Sequence, residues 1–334
     1  GTAESESGRP VLVVPRFSNL SPDATQDHVV AGITEAVTTE LTNVSALIVV
    51  SGTPERLSDQ YASRAFLLHG SVATQGDRLS VNARLEKVSS GENIWGDNYN
   101  RDLHDVLGLF ADVARTITQE VEAELTPAEQ ARLQETRTVD PEAYRLYLRG
   151  RFHWNRRTPA DLLRSVEFFN QSLQVDSSSA LAYAGLADAY VLFPQYGVSS
   201  VSDSEAFRAA EEYARAALER DSTLGEASTA LAHLRFIAHR DWSGAEAEFR
   251  RALDLSPGYA VLHQWYGEFL RAKGLADDGL AQVRLAYQSA PMEPVIGTSL
   301  AFGLWCARLY GEAEAQARLT IEEIDSDYSD ARYA

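Results

Sequence analysis

The chain has 334 residues, 45% of them hydrophobic, and a formal net charge of -18, so it is long enough for two domains with ordinary cores. That charge disfavours nucleic-acid binding by bulk electrostatics. A single cysteine, Cys306, excludes an internal disulfide and a cysteine metal cluster.

Arginine carries almost all the positive charge, since Lys87 and Lys273 are the only lysines. Such an acidic, lysine-poor composition fits a saline habitat or a GC-rich genome. No apolar run approaches the roughly 20 residues that span a bilayer, and no signal-peptide pattern is visible. The only methionine is Met292, so the chain is expected to be a fragment of a longer protein.

Residues 1–9 are polar and read as a disordered tail. Val11–Phe17 is a short apolar run that predicts a buried strand, followed by the turn-rich stretch NLSPD. From Asp27 to Val44, Val30, Ile33, Val37 and Leu41 recur at helical spacing. Ala46–Val50 predicts a second strand and Pro54–Ala62 a short helix. The period then changes. In Arg78–Val88, Leu79, Val81, Ala83 and Leu85 alternate with Ser80, Asn82, Arg84 and Glu86. That is a strand with one buried face, paired as a hairpin with Phe66–Ala73 across Gln75-Gly76-Asp77. A further strand, Asn93–Tyr99, precedes a helix striped by Val106, Phe110, Val113, Ile117 and Val121. The order β-α-β-α-β-β-β-α over residues 10–125 predicts a small two-layer α/β domain. Residues 126–140 are polar and read as a linker.

From residue 141 the chain becomes repetitive. Residues 224–257 place Leu231 and Ala232 on a first helix, then Ala245, Phe249 and Ala252 on a second, closed by Pro257. The next stretch repeats the pattern with Gly267, Gly274 at the turn, Ala286 and Pro291. The two prolines stand 34 residues apart. Antiparallel helices approach closely only where one presents a small side chain, so Ala232 or Gly267 should face Ala245 or Gly279. Phe249 should fill the space between hairpins, and stacked hairpins bury one continuous core. The period and these positions resemble the tetratricopeptide repeat. About five repeats fit residues 141–334. The second carries a swollen loop around PQYGVSSVSDSE, and YSDARYA opens a sixth. The fold class is therefore α+β with two domains, the second an all-α solenoid.

A wider resemblance rests on "VLVVPRFSNLSPD", "AGITEAVTTELTNVSALIVVS", "LLHGSVATQGDRLSVNARLEKVSSGENIWGDNYNRDL" and "DPEAYRLYLRGR". These segments are similar to a bacterial module whose first part is like the amino-terminal domain of the translocation protein TolB, followed by tetratricopeptide repeats. That module is attached to receptor-type serine/threonine kinases, adenylate cyclases and transmembrane winged-helix regulators. The resemblance implies a sensory or adaptor portion, on the extracytoplasmic side of a membrane protein, with its effector elsewhere. One departure is Arg16, which separates Pro15 from Phe17 where the family reads proline-phenylalanine. It suggests a small bulge.

No phosphate loop, nucleophile elbow or HExxH pair occurs. No cofactor, metal or catalytic residue is therefore expected, and the fragment reads as non-enzymatic. His233 and His239 stand on different helix faces. The run Asp325-Ser326-Asp327 lacks the glycine and glutamate of a calcium loop. The NLSPD stretch and Ser51-Gly52 end adjacent strands, where open α/β sheets often bind ligands; this supports an alternative, small-molecule-sensing reading. The leading expectation is a peptide or protein partner in the concave groove of the solenoid. First-helix positions that escape the packing constraint are Tyr147, Arg151, Trp154, Asp188, His233, Phe236, Gln264, Glu268, Arg271, Phe302 and Trp305. Their mix of aromatics and both charge signs suits a protein-binding surface. A solenoid cut within a sixth unit should also self-associate or fray at that end.

Overall fold

The computed structural model describes residues 9–21, 27–52, 54, 59–134, 138–291 and 293–321. It divides into two compact units, Gly1–Pro141 and Glu142–Ala334.

In the first unit, β1 (Val11–Val14) lies between β3 (Ile48–Ser51) and β4 (Ala65–Gln75), parallel to both. The antiparallel strands β5 (Arg78–Lys87) and β6 (Glu92–Asp102) extend the sheet. Helices α1 (Asp27–Thr42) and α3 (Val106–Glu120) supply its apolar cover through Ile33, Val37, Leu41, Phe110, Val113 and Ile117, all buried. The short α2 (Asp59–Ala62) precedes β4. Burial of Leu79, Val81, Ala83 and Leu85 on β5, with Asn82 and Arg84 exposed, follows the alternation in the sequence.

One strand was not expected, the two-residue β2 (Ser18–Asn19). It continues the path of β1 along β4. Val13 pairs with Leu67 and Ser18 with Ser71, so five steps on one side match four on the other. The excess residue is a bulge, and it falls where Arg16 interrupts Pro15 and Phe17. Arg16 is exposed while Phe17 is buried and lies so close over Gly70 that a Cβ there would collide with its ring.

The polar stretch 126–140 is not a plain linker. Pro127–Gln134 forms a helix, α4, opened by a reciprocal cap: the Thr126 amide donates to Glu129 Oε2 at 2.7 Å, and the Glu129 amide donates to Thr126 Oγ1. The other Glu129 oxygen accepts from the Ser45 amide at 2.7 Å, Arg132 donates to the Asn43 carbonyl, and Leu133 is buried. Val139 and His104 exchange two further bonds. The cap motif Thr-x-x-Glu outweighs the polar composition here.

The second unit is a run of helical hairpins. These are α5/α6 (Pro141–Asn155, Pro159–Val175), α7/α8 (Ala180–Leu192, Asp203–Arg220), α9/α10 (Gly225–Ile237, Trp242–Leu255), α11/α12 (Ala260–Ala272, Ala276–Ser289) and α13/α14 (Pro294–Cys306, Tyr310–Leu319). Small residues do set the approach of paired helices. A Cβ on Gly267 would stand 2.8 Å from the Gly279 carbonyl, and one on Gly279 equally close to that of Gly267. Phe169 and Phe249 are fully buried, and the Phe169 ring fills the space beside both Gly150 and Gly185. The swollen loop of the second repeat lies between Leu192 and Asp203 and ends in a Ser202–Glu205 capping box. Four hairpins turn on a left-handed residue directly before the N-cap of the second helix: Arg157 (φ 54°), Arg240 (φ 54°), Gly274 (φ 83°) and Arg308 (φ 64°). Among the described residues no helix is long and apolar enough to cross a membrane. The Asp325-Ser326-Asp327 run, read as an inter-repeat turn, and the sixth unit fall outside the described residues.

Candidate functional site

The residues expected in the groove divide into two groups. Trp154, Arg151, Asp188, His233 and Gln264 are buried, at 0%, 6%, 1%, 1% and 3% exposure. Tyr147, Phe236, Glu268 and Arg271 are half-buried. Phe302 and Trp305 are open to solvent at 38% and 51%. The inner face is therefore an open surface only at its C-terminal end. The expectation of one continuous groove is corrected by the tightness of the superhelix. Trp154 of the first repeat meets Trp265 of the fourth edge-on at 6.4 Å. Asp188 of the second accepts from Tyr259, at the start of the fourth, at 3.3 Å.

The enclosed part is a polar core. Arg151 Nη1 donates to Asp188 Oδ2 at 3.1 Å. The Arg151 and Arg157 guanidiniums lie 4.4 and 3.6 Å from the Trp154 ring centre. His233 stacks on Trp265 at 4.3 Å. Gln264 Nε2 donates to Ser299 Oγ at 3.0 Å and more weakly to Glu268. Burial dominates the ionisation here. It pushes the Asp188 carboxyl up to about 7 against the pull of Arg151 and Arg157, and the Glu268 carboxyl up to about 7 against Arg271 and Arg157. Burial, helped by the Arg157 charge, drives His233 down to about 3, so its imidazole is neutral. Arg157, Tyr259 and Trp265 belong to this core and were not anticipated. Arg157 stands after its helix rather than on it, so helical spacing misses it. Aligning the repeats on the turn residue Gly274 places Arg157 at the equivalent left-handed position.

The open part is an aromatic ladder. Phe302 and Trp305 stack at 5.7 Å with an interplanar angle of 11°, and the Arg271 guanidinium lies 4.4 Å over Phe302. His239 is exposed and 3.7 Å from Glu211, far in character from the buried His233. In the first unit, the helix-free face of the sheet forms a concavity of about 780 Å³ lined by Arg16, His69, Ser71, Asn82, Arg84 and Asn98.

No family model matches the chain. A protein of Rhizobium meliloti (strain 1021) named as an adenylate cyclase is 30% identical over 190 residues, covering 54% of this chain and 32% of that protein. The transcriptional regulator HilA of Salmonella typhimurium is 26% identical over 152 residues, 46% of this chain and 27% of its own length. The chain thus spans about a third or less of these curated relatives. Among solved structures it is similar to TTC0263, a tetratricopeptide protein of Thermus thermophilus (21% identical, 52% of this chain and 88% of that one, TM-score 0.40). It is also similar to YrrB, described as a tetratricopeptide protein with an unusual peptide-binding site (19% identical, 58% and 89%, TM-score 0.34).

Proposed function

We propose that this chain is a non-enzymatic interaction module of a larger bacterial signalling or regulatory protein, and that its helical unit holds a peptide or protein segment on the Arg271–Phe302–Trp305 ladder. The observation that carries this reading is the ladder itself. Two stacked aromatics stay exposed, with a half-buried arginine over one of them, at the end of an inner face whose other expected residues are buried or half-buried. Trp, Tyr and Arg are the residue types that dominate binding hot spots. An adenylate cyclase and a transcriptional regulator among the relatives support attachment to an effector. The resemblance to a TolB-like sensory module supports an extracytoplasmic position and a non-catalytic role.

Selection from a random peptide library on the immobilised chain tests this. The expected result is a shared motif whose binding drops at least tenfold, about 1.4 kcal/mol, in Trp305→Ala, with helical content unchanged. Equal enrichment by parent and variant would remove the ladder from consideration. The second reading, a small-molecule sensor in the first unit, is favoured by one observation: β1 and β3 are parallel neighbours ending together, Val14 beside Ser51.

A further inference from the structure

The enclosed polar core holds more hydrogen-bonding capacity than the protein uses. Trp154 Nε1, Arg157 Nε and Nη2, Asp188 Oδ1, both His233 ring nitrogens and Gln264 Oε1 are buried without a partner. Buried polar atoms are partnered in about nine cases of ten or more, so seven on five side chains of one core require a cause. The exposures of Trp154, Arg157, Asp188, His233 and Gln264 are all 3% or less, so bulk solvent does not reach them.

The chemistry of these atoms is specific. Nε and Nη2 form one edge of the Arg157 guanidinium, the edge that meets two oxygens of a carboxylate in parallel. Trp154 Nε1–H belongs to the ring on which that guanidinium lies, 3.6 Å away. A neutral His233 adds one donor and one acceptor. Against these donors stand two further acceptors, Oδ1 of Asp188 in its ionised form and Gln264 Oε1. A phosphate fits badly, because its second charge would face Asp188 and Glu268. A bare carboxylate would satisfy the arginine edge and leave both acceptors unmet. A carboxylate that carries its own donor meets both sets.

We propose that this core is a binding site for a small carboxylate bearing an amino or hydroxyl group. The carboxylate lies on the Arg157 edge and the Trp154 indole N–H. The amino or hydroxyl group donates to Asp188 Oδ1 or Gln264 Oε1. The site uses other side chains than the ladder at Phe302 and Trp305, although Gln264 bonds to Ser299 on the helix that carries that ladder. Because it joins side chains of the first to fourth repeats, occupancy would tie the turns of the superhelix together.

The test is a titration of the ¹⁵N-labelled chain, following the indole N–H signals of its 5 tryptophans, with Trp154 assigned through Trp154→Phe. The probes are glycine, glycolate, acetate and inorganic phosphate. Glycine or glycolate should shift the Trp154 signal saturably and raise the thermal midpoint, with acetate at least tenfold weaker and phosphate without effect. Arg157→Lys keeps the charge and loses the planar edge, and should weaken binding tenfold or more. Gln264→Met should bring the favoured probe towards the acetate level. No saturable shift with any probe would mean that water alone satisfies the core, and would overturn the proposal. Preference for phosphate, or an unchanged titration in Arg157→Lys, would overturn it equally. Should Arg157→Lys fail to fold, the contrast between glycolate and acetate on the parent chain decides.

Discussion

Asp188 and His233 share the polar core and respond to acid with opposite signs. An Asp released into water titrates near 3.9 and a His near 6.5. Native Asp188, raised to about 7, keeps a proton between pH about 4 and 7 that the unfolded chain has lost. Its contribution is therefore greatest at low pH and is lost as pH rises to about 7. Native His233, lowered to about 3, refuses a proton that the unfolded chain binds below about 6.5, so its contribution falls as pH drops. The two offset one another over pH 4–6.5, and single variants separate them. His233→Phe should gain in urea midpoint over the parent as pH falls from 7 to 4. Asp188→Asn should lose over the same interval. Differences that do not change with pH would mean that neither group is desolvated as described. The two tryptophans first grouped as groove residues also part here. Trp154→Ala empties a fully buried, doubly stacked position and should cost about 3–5 kcal/mol, whereas Trp305→Ala should stay within about 0.5 kcal/mol in thermal or urea unfolding.

Hairpin geometry was legible in the sequence because packing of paired helices is written in side-chain size at fixed spacing. Gly267 and Gly279 are the clearest case, and their closeness gives a sharp expectation. Alanine is the better helix former by about 1 kcal/mol. Yet Gly267→Ala places a Cβ 2.8 Å from the Gly279 carbonyl and 2.5 Å from Val283, where backbone has to move. It should therefore destabilise by about 1–3 kcal/mol. The control is Gly311→Ala in α14, where nothing stands within 4 Å; with no clash to offset it, the helix-propensity gain should stabilise by up to about 1 kcal/mol. The turns give a second comparison. An arginine in the left-handed region carries roughly 1–2 kcal/mol of strain that glycine avoids. Arg240→Gly, at an exposed turn, should raise the urea midpoint. Arg157→Gly removes the same strain, but also takes a guanidinium from the Trp154 ring and should lower it. What the local patterns missed is of another kind. Helix α4 was hidden by polar composition although Thr126 and Glu129 spell its cap. Burial of Trp154 and Asp188 follows from how tightly successive hairpins wind, and no local spacing encodes that.

Winding also changes how the helical unit should unfold. In an ordinary solenoid each repeat touches only its neighbours, so stability is a sum of nearest-neighbour terms and the ends fray independently of the middle. Here Trp154 reaches Trp265 across two intervening repeats, and Asp188 joins Arg151 on one side and Tyr259 on the other. Buried apolar side chains from the first four repeats, Trp154, Leu162, Ala210, Phe249 and Phe269 among them, belong to one connected cluster. The last hairpin packs through a separate cluster around Leu280, Val283, Leu300, Leu304 and Ala313. Removing residues 142–178 should therefore do more than expose the face of the second repeat. It should strip the cover from Trp265 and leave Asp188 without Arg151, lowering amide-exchange protection in α11, two repeats beyond the nearest neighbour. Removing residues 293–321 exposes α11 and α12 directly, yet should leave the protection of α7 and α9 close to that of the parent. The measurement is hydrogen exchange on the two truncated chains beside the whole one. Should α11 keep its protection without the first repeat, the contacts across the axis contribute little, and the unit is an ordinary nearest-neighbour solenoid.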